Sequence, residues 1–242
     1  MYICVGLVLG FRHIFKPQNV SGNAGKTPKN NKMTEFKEIK QLFGITEKNG
    51  FSEEEILEFK NICDNIPKVL SDYYSQLGKI KELNNTQDQL IEPQKLKLSK
   101  NKDFVIFYVE NQWACVWGID KNDLNIDNPP VYMSYEEQEW TKETNLLTDF
   151  LKAMANLQAV FALQFCSEEF ACINIDELKI IKENFKKREF SFSQWIGIEF
   201  YGNFENDVIV VQRNTDYYNL IYASNNEQQF VEMNKILNKL GE

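Results

Sequence analysis

The run "DFVIFYV", residues 103–109, constrains the fold more than any other stretch. It is apolar at consecutive positions, so both faces of a strand there must be covered. That predicts a central strand, not an edge. A second strand follows over 113–119, in "NQWACVWGID", with a turn at Glu110, Asn111 and Gln112. "NPPVYM" marks a further turn and a short strand, and "EEQEWTKE" reads as a polar strand or loop carrying Trp140.

Helices surround this sheet signal. Ser52 with Glu55 three residues on forms a capping box, and Ile56, Leu57 and Ile62 follow as an apolar stripe. Pro67 breaks the chain and starts a second helix, with Ile66, Val69, Leu70, Tyr73, Tyr74 and Leu77 at helical spacing and Gly78 as its C-terminal cap. Residues 79–102 read as a connecting segment containing Pro93. "NLLTDFLKAMANLQAVFAL" predicts an amphipathic helix with Leu146, Leu147, Phe150, Leu151, Met154, Leu157 and Phe161 on one face. "IDELKIIKENF" is helical. "QWIGIEFYG", "DVIVVQR" and "YYNLIYAS" predict an antiparallel meander, and a helix closes the chain. Short strand-to-strand links with helices at both ends and in the middle indicate α+β with a mainly antiparallel or mixed sheet, not a doubly wound parallel one. No internal sequence repeat is visible.

The first 32 residues differ from the rest. "MYICVGLVLGF" is too short to span a bilayer, which needs about 20 apolar residues. It lacks a basic segment in front of it and a small-residue cleavage site behind it. Met33 opens "MTEFKEIKQLFGI", which reads as a domain start. Residues 1–32 are therefore expected to be an upstream extension, with a weak anchor or a disordered tail as alternatives, and 33–242 to be the domain. "SGNAGKT", residues 21–27, ends like a phosphate-binding loop. Its first glycine is replaced by Val20, and Pro28 follows where a helix should start. No nucleotide or other cofactor is expected.

Charge and rare residues narrow the function. Of 27 basic residues five lie in 1–32, so residues 33–242 carry 22 basic and 35 acidic side chains, a net of −13. Such a body is a poor nucleic-acid ligand, since phosphate contacts need Lys and Arg. It would steer a basic partner toward itself, or the charge serves solubility alone. The single histidine, His13, lies in the leader, which argues against a Ser-His-Asp or Cys-His hydrolase and a His-rich zinc site. The five cysteines contain no C-x-x-C pair and suit a reducing compartment, hence the cytoplasm. No membrane segment is expected in the body.

The motifs "IPKVLSDYYSQLG", "FVIFYVENQWACVWGID", "NPPVY" and "LLTDFLKAMA", in this order and spacing, resemble the SUKH superfamily (SMI/KNR type) over roughly residues 50–165. The matching positions are Ile66, Pro67, Leu70, Tyr73, Tyr74 and Gly78 in the first motif. Glu110, Asn111, Gln112, Trp117 and Gly118 carry the second, and Pro129, Pro130 and Val131 the third. Phe150, Leu151 and Met154 match in the helix. Individually these are mostly fold-forming residues. The resemblance implies a single α+β domain that binds and neutralises a toxin of a bacterial polymorphic-toxin system, often a nuclease or deaminase, without catalysis. Some relatives are cell-wall regulators, so a regulatory scaffold with a non-toxin partner is the alternative. A carboxylate-dependent hydrolase is a third reading, and two converging carboxylates of raised pKa in a concave pocket would favour it.

For toxin binding, the candidate contacts are Glu110, Gln112, Trp113, Glu136, Glu137, Glu139 and Trp140. Acidic groups there would meet the phosphate-binding cations of a nuclease, with aromatic anchors among them. Trp113 reads equally as a core residue, and Glu136, Glu137 and Glu139 as a solvated face.

Overall fold

A computed structural model describes residues 36–241. The expectations for the leader, its phosphate-loop likeness included, lie outside the described residues.

Phe104–Val109 forms a strand in which all six residues are buried. It is internal, as its double-sided apolar pattern requires. Two short strands, β1 (Gln89–Leu90) and β2 (Lys97–Leu98), pair with one edge of this β3 (Phe104–Val109), and β4 (Val116–Asp120) pairs with the other. β5 (Val131–Ser134) and β6 (Thr141–Thr144) complete an antiparallel sheet of six strands. Before it run α1 (Lys37–Phe43), α2 (Glu53–Leu57), α3 (Lys68–Leu77) and α4 (Lys81–Asn84). The Ser52–Glu55 capping box forms in both directions.

The second half builds another six-stranded antiparallel sheet. Its long members are β9 (Lys187–Phe192), β10 (Ile198–Tyr201), β11 (Asp207–Arg213) and β12 (Tyr218–Ser224), a meander in chain order. Two short strands, β7 (Phe165–Cys166) and β8 (Ala171–Ile173), share the free edge of β12. Helices α6 (Ile175–Asn184) and α7 (Glu227–Leu237) cover one face, closing a core of Ile181, Tyr201, Ile209, Leu220 and Leu237. The fold class is thus the expected α+β single domain, with two antiparallel sheets in place of one.

Helix α5 (Leu147–Ala162) lies between these halves. The sequence predicts one apolar face, but the helix is buried on nearly every side, including Ala153, Ala155, Asn156, Gln158 and Ala159. The small alanines allow close approach on the side that the apolar stripe leaves out. Leu146, assigned to that stripe, is exposed at the N-cap position. Phe150 faces Phe107, Tyr108 and Trp117 of the first sheet and Phe192 of the second, with ring centroids 5.4–5.9 Å apart. Trp117 continues the cluster to Trp195 at 4.7 Å. Edge-to-face contacts of this kind add about 0.5–1.5 kcal/mol each to the area they bury.

Of three further expectations, two differ from the structure. Leu57 is exposed, because the helix tightens into a 3₁₀ turn at Glu58–Asn61 and turns it outward. Gly78 is the C-terminal cap of α3 as expected, with φ −60°. Its role is space, since a Cβ there would lie 2.7 Å from the Phe51 ring and from the Tyr74 carbonyl oxygen. Residues 79–102 are not a plain connection, because they supply α4, β1 and β2.

Candidate functional site

The β3–β4 turn is held from inside. The Glu110 carboxylate accepts the amides of Gln112 at 2.8 Å and Ala114 at 3.3 Å. The Glu110 amide donates to the Cys115 carbonyl at 2.9 Å, and the Trp113 amide to the Glu110 carbonyl at 2.9 Å. Beneath the turn, the Asn111 amide donates to Asp88 Oδ1 at 3.3 Å. Glu110 is only 7% exposed. It organises the turn and is not available as a surface contact, which corrects its place among the candidate residues.

Trp113 projects from this turn. It is 54% exposed, so the core-packing alternative fails. Its φ of 61° lies in the left-handed region, where a bulky side chain is rarely found and costs about 1–3 kcal/mol. Lys97 Nζ sits 4.8 Å from the Trp113 ring centroid and 3.2 Å from Glu137 Oε1. Glu137 has φ 60°, so Lys97 lies between two left-handed residues from different loops. Such a bridge, half-exposed on the lysine side, fixes the orientation of the indole more than it stabilises the fold.

The remaining candidates scatter around this bridge. Gln112, Glu136 and Glu139 are exposed, and Glu137 is half-buried. Lys100 Nζ donates to the Glu136 carbonyl at 2.8 Å, tying that loop to the end of β2. Trp140 stacks on Phe104 with centroids 4.1 Å apart and an interplanar angle of 13°, leaving one side partly exposed. Gly118 lies beneath it, where a Cβ would come 3.0 Å from the indole.

The motif residues build the interior. Ile66 and Pro67 are buried before α3, and Leu70, Tyr73 and Tyr74 are buried on it. Tyr74 donates to the Ile91 carbonyl at 2.6 Å. Pro129 is buried, Pro130 half-buried, and Val131 opens β5.

Beside Trp113 a cleft of about 670 Å³ runs along the β1 edge. Phe51, Leu90, Ile91 and Val109 give it apolar walls, and Lys79, Lys81, Lys95 and Lys97 line it. Neither it nor its lysines are evident in the sequence reading, which treats this segment as a connection. The alternating "KIK" and "KLK" are the signal that was there.

Two more acidic sites emerge from the structure. Asp88 is wholly buried and its carboxyl is pushed up to about 7, by burial first and then by the nearby Glu110 charge, against the Asn111 amide bond. A smaller pocket of about 280 Å³ is lined by Glu143, Asp149 and Glu189. Burial raises Glu143 in spite of three amides that donate to it, from Ser193 at 2.7 Å, Gln194 at 3.1 Å and Trp195 at 3.0 Å. Asp149 is raised by burial and by Glu189 and Glu38, against Lys152. Among the described residues no group of three or more His, Cys, Asp or Glu could hold a metal ion, and no helix is long and apolar enough to cross a membrane.

No family model, curated protein or solved structure matches the chain.

Proposed function

We propose that the chain is a non-catalytic binding protein of the SUKH type, a cytoplasmic immunity protein that neutralises a toxin domain by covering it. One observation carries the reading: a half-exposed Trp113 held in a left-handed conformation by the Glu110-braced turn and the Lys97 bridge. A large aromatic fixed before its partner arrives loses little freedom on binding, which is the property of an interface hot spot. Exposed Glu136 and Glu139 stand on the loop that carries Glu137, where they would meet cations of a nuclease- or deaminase-type active site.

The test is capture from lysate of the producing cell by the immobilised full chain, at low and high salt. Recovery of a basic nuclease- or deaminase-like domain, lost with Trp113→Ala, is expected. Recovery of a cell-envelope or regulatory complex would replace the immunity reading with the scaffold one.

The pocket holding Glu143 and Asp149 favours a second reading, a carboxylate-dependent hydrolase, because both carboxyls are raised there. Against it, both Glu143 oxygens already accept backbone amides, an anchoring role. Hydrolysis of glycoside or phosphoester substrates by the full chain, abolished by Asp149→Asn, would establish this second reading.

A further inference from the structure

We infer that the cleft beside Trp113 receives a short acidic segment of the partner protein. This deepens the binding reading and rests on it, in taking the occupant to be protein. The charge of the cleft runs against that of the molecule. Residues 33–242 hold 35 acidic and 22 basic side chains. The cleft reverses this ratio, with Lys79, Lys81, Lys95 and Lys97 against Glu55 and Glu92.

Three of the lysines, Lys79, Lys81 and Lys95, are available to a ligand, while Lys97 is engaged by Glu137 and the Trp113 ring. Lys79 pairs with Glu55 at 2.8 Å and Lys95 with Glu92 at 3.1 Å, but all four side chains of these pairs are 40–66% exposed. Pairs so exposed are held weakly and exchange readily for an incoming carboxylate. Lys81 has no ion-pair partner among the described residues. The side chains of Asn85 and Gln89, also in the lining, make no hydrogen bond among the described residues and are free to meet a peptide backbone.

The shape and chemistry select a peptide over other anions. The lysines come from two segments, Lys79 and Lys81 before β1 and Lys95 and Lys97 after it, so four separate ammonium groups line one cleft. Among the described residues no arginine lines the cleft to grip a phosphate with two parallel bonds. The walls are apolar, with Phe51, Leu90, Ile91 and the Trp113 ring, which suits aliphatic side chains between acidic ones. A long nucleic acid would meet the repulsion of the acidic body around the cleft.

The experiment is a fluorescence-anisotropy titration of the full chain with labelled oligoglutamate, oligolysine and oligothymidylate. Oligoglutamate is expected to bind, about tenfold more weakly in the Lys81→Gln/Lys95→Gln double variant and progressively more weakly as salt is raised. Both substitutions are on exposed side chains, and an unchanged thermal melt would confirm folding. Four outcomes overturn the inference: no binding of oligoglutamate, binding untouched by the double variant, lysine-dependent binding of oligothymidylate, or preference for oligolysine. The binding reading is judged separately, by Trp113→Ala in partner capture. It survives if capture needs Trp113 while oligoglutamate fails.

Discussion

Gln158 reaches from the buried face of α5 to Asp88, donating through Nε2 to its carbonyl oxygen at 2.6 Å. The same amide nitrogen lies 3.1 Å from the Tyr108 hydroxyl, and Oε1 accepts the Gln87 amide at 2.6 Å. One side chain thus satisfies the backbone of residues 87 and 88 where no strand partner does. Gln158→Leu keeps the volume but strands a buried N–H and a buried C=O, each at a cost of about 1–3 kcal/mol. A loss of about 2–4 kcal/mol in urea unfolding is expected, with faster amide exchange at Gln87.

Asp88 makes stability fall with rising pH. Its folded pKa is about 7 against an ordinary 3.8, so between these values the folded protein holds a proton that the unfolded chain has released. Stability therefore declines as pH rises through that window and levels off above it. Burial sets most of this, the Asn111 amide lowers the value, and the Glu110 charge raises it. Asp88→Asn keeps an oxygen for that amide and removes the ionisation. The variant is expected to be more stable than the parent at pH 8 by up to about 4 kcal/mol, and equal to it near pH 3. Denaturant midpoints across that range would show it. A pH-independent difference would refute the assignment.

Trp113 and Glu110 should separate binding from folding. Trp113→Ala removes a half-exposed ring and is expected to change stability by less than about 0.5 kcal/mol, while weakening partner capture at least about tenfold. Glu110→Gln loosens the turn instead. Exchange at the Gln112 and Ala114 amides should quicken, and stability should fall by about 1–3 kcal/mol.

Gly118 is required by Trp140. In Gly118→Ala the new methyl lies 3.0 Å from the indole and 3.1 Å from the Val105 carbonyl oxygen. The indole must shift on Phe104, at a cost of about 1–3 kcal/mol, and the near-ultraviolet circular dichroism should change.

Much of this architecture is legible in the residues themselves. The unbroken apolar run of Phe104–Val109 announces an internal strand, and three apolar runs with short links announce the β10–β12 meander. What is missed depends on tertiary partners. β9, "KREFSF", buries only Phe190 and Phe192, and it looks like loop until β10 lies beside it. Strands of two or three residues, such as β1, β2, β7 and β8, have no periodicity to detect. Of the residues proposed for partner contact, Trp113, Glu136 and Glu139 are exposed, as a contact requires, but Glu110 is buried. A carboxylate folded back onto its own turn is indistinguishable in sequence from one facing solvent. The lysine cleft is assembled from separated segments, so its charge appears only when Lys79–Lys81 and Lys95–Lys97 are brought together.

The position of α5 governs how this chain leaves a ribosome. When Thr144 emerges, the first sheet is fully synthesised but its aromatic face, Phe107 and Trp117 included, has no cover. When Ala162 emerges, α5 can dock there, yet its opposite side stays bare until β9 to β12 have been translated. The nascent protein therefore presents apolar surface from the emergence of Thr144 until β12 is complete at Ser224. Severing the gene on either side of this helix is expected to yield fragments that do not fold alone, because each would expose a face that α5 covers in the whole chain.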